Sequence, residues 1–250
     1  GAAPGAGAFV ACMSTTPGAG GATAPGVVRG APRGAPAHGS PSSGDALVAA
    51  LRQAIQEEHA VSPHEFLEVE IRDIWRSLGE SLSDTQIARL AVEYECRVNP
   101  VWPMPGCGET LAALRDVGLP LGIVSNAQFF TPIAMEELLG DSLSRLGFDE
   151  SLCVWSYAHR LAKPGTFLYE QSAAALAERS IAPQQVLYVG NDMRNDVWPA
   201  SRVGFRTALF AGDARSLRLR EDDQQVAGVE PDAVLTDLRQ ILTVLPLADG

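Results

Sequence analysis

One stretch constrains the fold of this chain more than any other: Val186-Leu-Tyr-Val-Gly-Asn-Asp-Met-Arg-Asn-Asp-Val197, an apolar run that ends in glycine and then in two carboxylates, Asp192 and Asp196. An uninterrupted apolar strand is buried on both faces, as in a parallel sheet covered by helices. Acids just past the carboxyl edge of such a strand stand where open α/β sheets gather ligands, and two in one loop can approach a hard cation such as Mg²⁺. A helix start is the other account: Asp192 would cap it and Asp196 would suit its dipole. The buried strand in front favours the metal.

The surroundings fit such a sheet. From Pro103-Met-Pro-Gly106 onward, strand and helix patterns alternate. The readings are a helix over Glu109–Val117, a strand over Leu121–Val124, a helix near Thr131–Leu139, a short strand at Leu152–Ser156 and a helix near Thr166–Arg179. The strand Val186–Val189, a helix to Val203, the strand Arg206–Phe210, a short edge strand at Val234–Thr236 and a terminal helix over Leu238–Leu245 follow. The expectation for residues 103–250 is a three-layer, doubly wound, mostly parallel α/β core. Residues 45–102 read as helical throughout. Leu47, Leu51, Ala54 and Ile55 share one helix face. Ser62-Pro-His-Glu65 reads as a capping box opening a second helix with Leu67, Ile71, Ile74, Trp75 and Leu78, and Ser83-Asp-Thr-Gln86 as one opening a third. Residues 1–44, rich in Gly, Ala and Pro, read as disordered.

Bulk properties exclude several classes. With 46% hydrophobic residues over 250 positions the chain can bury a substantial core. A formal net charge of −11 argues against broad binding to nucleic acid or anionic membrane, which needs surplus Lys and Arg. No run approaches the roughly 18 apolar residues of a membrane span. Four scattered cysteines with no Cys-x-x-Cys pair indicate reduced thiols in a cytoplasmic protein.

Two further stretches place polar groups beside the first. Ser125 and Asn126 end the strand Leu121-Gly-Ile-Val, where a hydroxyl and backbone N–H groups can hold an anionic oxygen, although such a turn is also a common structural feature. Lys163, before Pro164, can offer its ammonium to a phosphate or to paired carboxylates. In order, Ile-Val-Ser-Asn126, Ala-Lys-Pro-Gly165 and the Gly190–Asp196 loop resemble the second, third and fourth motifs of the haloacid dehalogenase-like hydrolase superfamily. The resemblance implies a Rossmann-like core with residues 45–102 as a small helical cap. It implies Mg²⁺-dependent hydrolysis of a small phosphomonoester through an aspartyl-phosphate, with Ser125, Asn126 and Lys163 holding the phosphoryl group and Asp192 and Asp196 the metal. Metal-free 2-haloacid dehalogenation is the nearest alternative chemistry, and a non-catalytic ligand-binding or interaction protein is the alternative of another class.

The family's first motif, Asp-x-Asp-x-Thr, supplies the attacking carboxylate and the general acid and base. It belongs upstream of Asp45, where this chain has no Asp or Glu. Phe9-Val-Ala-Cys-Met-Ser-Thr15 has a strand-like start and a final Thr, with Ala11 and Met13 where the acids belong. An inactive relative, another nucleophile, or a first segment read in the wrong frame from GC-rich DNA would each account for this. The abrupt compositional border and the intact later motifs favour the last. As written, the chain is expected to lack activity.

Overall fold

A computed structural model describes residues 8–11, 44–79 and 81–245. They fall into two units: residues 44–63, 69–79 and 81–101 form one, and 8–11, 64–68 and 102–245 the other.

The smaller unit holds helices α1 (Gly44–Val61), α2 (Ile71–Leu78) and α3 (Asp84–Val98). Leu51, Ile74, Trp75, Leu78, Ile87 and Ala91 are buried within it, and Trp75 meets Tyr94 edge-on at 5.7 Å between ring centroids. The capping box at Ser83 and Gln86 forms as the sequence predicts. The one read at Ser62–Glu65 opens no helix. Past a turn, the chain of the larger unit runs beside residues 160–162: Leu67 bridges Leu161 antiparallel, Ala162 N–H donates to Phe66 O at 2.8 Å, and Glu68 N–H donates to Arg160 O at 3.1 Å. Backbone groups paired at long range in this way are lost to a helix, so α2 begins only after Glu70, whose carboxylate accepts the Arg72 N–H.

The larger unit is built on six parallel strands in the order β3-β2-β1-β4-β5-β6. These are β1 (Ala8–Ala11), β2 (Leu121–Ser125), β3 (Phe148–Trp155), β4 (Val186–Gly190), β5 (Arg206–Phe210) and β6 (Ala233–Leu235). Side chains alternate across a strand, and β4 shows the consequence. Leu187 and Val189 join a core with Leu111, Leu114, Met135 and Ile241, under helices α4 (Cys107–Asp116), α5 (Thr131–Leu139) and the terminal α9 (Ile241–Val244). Between α5 and α9 come the short α6 (Ser156–His159), α7 (Phe167–Ala177) and α8 (Trp198–Arg202). Val186 and Tyr188 join the opposite core with Leu168, Tyr169 and Leu176 of α7 and Ala200 of α8. Helices therefore cover both faces, which makes the three layers of a doubly wound sheet.

β1 lies inside the segment read as disordered. It ladders with both neighbours, Ala11 standing level with Ile123 on one side and Val189 on the other. For residues 1–7 and 12–43 the same expectation falls outside the described residues. β3 is longer than predicted because its first half, Asp149-Glu-Ser151, is polar and borders solvent at the sheet edge. Beside it Gly122 is needed for close approach: a Cβ there would lie 2.6 Å from the Leu152 carbonyl oxygen. Among the described residues no helix is long and apolar enough to cross a membrane.

Cys153 in β3 gives the fold a pH signature. Burial pushes its thiol from the ordinary 9.0 up to about 12. Below the ordinary value the thiol is protonated in both states and this part of the stability is fully present. As pH rises the unfolded chain ionises first, so stability falls until the folded thiol also titrates. At about pH 10 the loss is roughly 1 kcal/mol relative to about pH 8. Urea unfolding of wild type and Cys153→Ala at both pH values checks this, and the variant should show the smaller alkaline loss.

Candidate functional site

The chain winds outward from β1 through β2 to β3, then returns to lay β4, β5 and β6 on the other side. In open α/β sheets ligands gather at the carboxyl ends of the strands where the winding reverses, here at β1. Ser125 closes β2 and Gly190 closes β4, the two strands flanking β1. Lys163 lies in the turn between α6 and α7 and is joined to Pro164 by a cis peptide. The fold thus brings the three predicted motifs to one edge of the sheet.

At the centre is a buried ion pair. Lys163 Nζ lies 2.7 Å from Asp196 Oδ1, with side chains 2% and 0% exposed. The Tyr188 hydroxyl shares its one proton between Asp196 Oδ1 at 3.3 Å and the Val124 carbonyl at 3.2 Å, and Asp196 Oδ2 accepts the backbone N–H groups of Asn191 and Asp192, each at 3.0 Å. Tyr188 reaches this point because strand alternation aims it into the α7 face, where its hydroxyl meets that of Tyr169 at 3.2 Å; the Tyr169 hydroxyl lies 2.6 Å from the Asn195 carbonyl. Gly190 makes room. A Cβ there would lie 2.5 Å from Asp196 Cγ.

Asp192 has a second set of partners. It caps the π-helical turn Met193–Val197, its Oδ1 accepting the N–H groups of Arg194 at 2.9 Å and Asn195 at 3.1 Å. Asn195 Nδ2 donates to Oδ2 at 3.3 Å. Arg220 closes on both oxygens, Nε at 3.2 Å from Oδ1 and Nη2 at 2.6 Å from Oδ2. Hydrogen bonding to Asp192 raises the guanidinium pKa above its ordinary value, against partial desolvation. Asp192 thus acts as the cap that the sequence offered as one alternative.

This arrangement tests the expected metal. An ionised carboxylate offers about four lone-pair sites on its two oxygens. Asp196 uses its sites on Lys163, Tyr188 and two backbone amides, and Asp192 on three local amide donors and the Arg220 fork. Among the described residues no group of three or more His, Cys, Asp or Glu converges. Mg²⁺ demands octahedral oxygen ligation at roughly 2.0–2.1 Å, and the donors as arranged do not fit it.

The remaining predicted residues find varied places. Ser125 is buried, its Oγ donating to the Asn126 carbonyl at 3.2 Å. Asn126 fastens two of the motif loops together: its Oδ1 accepts the Lys163 N–H at 2.7 Å and its Nδ2 donates to the Lys163 carbonyl at 3.2 Å. Phe129 and Phe130, just past β2, are buried and packed edge to face. Arg194 reaches Asp223 at 3.3 Å and Gln225 at 3.2 Å.

Sequence reasoning missed three contributors. Tyr188 carried a signal, a hydroxyl inside an otherwise apolar strand. Arg220 carried none, lying far down the chain in a charged run, Arg218-Leu-Arg-Glu-Asp-Asp223. Glu68 also escaped notice: its carboxylate accepts the Ser156 hydroxyl at 2.7 Å and the Gln128 amide at 2.9 Å, which fastens the 64–68 segment to the loop after β2 and to the start of α6.

Comparison with known proteins agrees with the fold. Glyceraldehyde 3-phosphate phosphatase of Pyrococcus furiosus is 23% identical over 222 residues, covering 85% of this chain and 82% of that protein. Among solved structures, an L-2-haloacid dehalogenase superposes with a TM-score of 0.53 at 20% identity, over 96% of this chain and 99% of its own. A phosphatase of the same superfamily from Thermococcus onnurineus gives 0.51 at 17% identity, over 78% and 80%. At these identities the solved structures speak to the fold alone. The model of the haloacid dehalogenase-like hydrolase family matches residues 43–210, more than half of the chain. The chain belongs to the haloacid dehalogenase-like hydrolase family.

Proposed function

We propose that this chain binds a small phosphorylated molecule at the carboxyl edge of its sheet and does not hydrolyse it. The observation that carries the proposal is the placement of β1 between β2 and β4. It supports aligning Phe9–Thr15 with the family's first motif, and no carboxylate occurs in that stretch or anywhere before Asp45. Without an attacking Asp no aspartyl-phosphate forms, and without a second acid there no group protonates the leaving oxygen. The Ser125 hydroxyl, the backbone N–H groups beyond β2 and the Lys163 ammonium are the groups that would hold phosphoryl oxygens. The phosphorylated substrate in the name of the Pyrococcus furiosus relative supports this ligand class.

The test pairs binding with turnover. Calorimetry with inorganic phosphate and glyceraldehyde 3-phosphate is expected to show binding that Ser125→Ala weakens, while neither glyceraldehyde 3-phosphate nor p-nitrophenyl phosphate releases phosphate, with or without MgCl₂. Mg²⁺-dependent release abolished by Asp192→Asn would overturn the proposal.

A further inference from the structure

The loop between β5 and β6 is tied to the acidic loop along its length. Met193 N–H donates to Arg218 O and Arg218 N–H to Asn191 O, both at 2.9 Å, which makes a short parallel bridge between Asp192 and Arg218. The Asn191 amide donates to the Ser216 carbonyl, and Arg194 reaches back to Asp223. Two residues past the bridge the backbone of Arg220 turns into the left-handed region, φ 58°, where residues other than glycine are uncommon. That turn delivers the guanidinium to both oxygens of Asp192, a carboxylate only 4% exposed. The fork is bidentate, the strongest form of carboxylate recognition by a side chain.

We propose that Arg220 is the resident cation of the acidic loop and that it excludes a divalent metal from Asp192. The charges balance within the protein: Lys163 neutralises Asp196 and Arg220 neutralises Asp192. A divalent ion would have to displace the fork from a nearly buried carboxylate, expel a guanidinium held by a bridged loop, and leave surplus positive charge between two bases. Removing Arg220 frees a lone pair on Asp192 Oδ2 and leaves the carboxylate's negative charge unpaired, while Oδ1 keeps the Arg194 and Asn195 N–H groups. The part of the exclusion that acts at Asp192 therefore lies in one side chain contributed by the β5–β6 loop, while Asp196 stays occupied by its own donors.

The probe is Mn²⁺, titrated into the full chain and followed by electron paramagnetic resonance of the free ion, with melting temperature recorded alongside. Wild type and Arg220→Lys, which keeps the charge, are expected to show no saturable Mn²⁺ binding and no shift in melting. Arg220→Ala is expected to melt lower, to gain one saturable Mn²⁺ site and to recover stability as the ion is added. Asp192→Asn in the same background removes the gain. Arg220→Gln, which keeps a hydrogen-bond donor, replaces the Ala variant if that does not fold. Saturable Mn²⁺ binding by wild type that Asp192→Asn abolishes would overturn the proposal. Continued exclusion of Mn²⁺ by folded Arg220→Ala or Arg220→Gln would also overturn it. Neither readout involves turnover or phosphate, so this inference and the proposed ligand binding fail separately.

Discussion

Replacing Lys163 with Met is expected to lower the unfolding free energy by about 3–5 kcal/mol, the cost of leaving a buried charge without its partner. The ammonium and the Asp196 carboxylate are shut away from water, and Asp196 keeps its other donors, the Tyr188 hydroxyl and the backbone amides of Asn191 and Asp192, whether or not Lys163 is present. Those neutral donors cannot replace a positive charge at 2.7 Å. The double variant Lys163→Met, Asp196→Asn distinguishes lost charge balance from lost packing. An Asn oxygen can still accept the two backbone N–H groups while its amide faces Tyr188, and no net charge is left inside. The pair should recover about 1–2 kcal/mol relative to Lys163→Met alone. Urea unfolding of the three proteins measures this, and a double variant no more stable than the single would mean that packing dominates.

Gly190→Ala carries the second large effect. The added methyl would meet the side chain of Asp196, 2.5 Å from Cγ and 2.6 Å from Oδ2, in a place with no slack, because each oxygen of that carboxylate is held from two directions. Overpacking of this kind costs about 3 kcal/mol, at the upper end of the usual range because a hydrogen-bonded charge must move. Gly108→Ala in α4 is the control: nothing lies within 4 Å of its Cβ, and helix propensity predicts a gain of about 0.5–1 kcal/mol. Thermal or urea unfolding should therefore move in opposite directions for the two substitutions.

Local pattern made most of the α/β core legible. β2, β4 and β5 are short apolar runs between turn residues, and the helices between them have apolar faces that repeat at helical spacing. What escaped was decided at long range. β1 is four residues in a Gly- and Ala-rich setting, with no period to mark it; it is a strand because Val10 and its neighbours ladder with β2 on one side and β4 on the other. The Ser62–Glu65 box had correct local chemistry, yet residues just past it pair with the chain around Leu161, which no window of local sequence contains.

The site divides in the same way. Motif order placed Ser125, Lys163, Asp192 and Asp196 at one sheet edge, because strand ends in a doubly wound sheet are a matter of topology. The partners of the two acids were another matter. Spacing alone admits a cation or a capped turn, and the choice depends on Tyr188 beneath the loop and Arg220 beyond it. Arg220 occupies Asp192 only because residues 216–218 run alongside the acidic loop.

The scaffold is haloacid dehalogenase-like, and neither its central strand β1 nor the residues before Asp45 carry a carboxylate. Peptide mapping by mass spectrometry after incubation with an acyl phosphate and MgCl₂ tests that most directly, since it detects a covalent intermediate even when turnover is too slow to follow. No phosphoryl adduct on any Asp or Glu is the expected result. A phosphorylated carboxylate at one mapped position, lost when Lys163 is replaced, would contradict it.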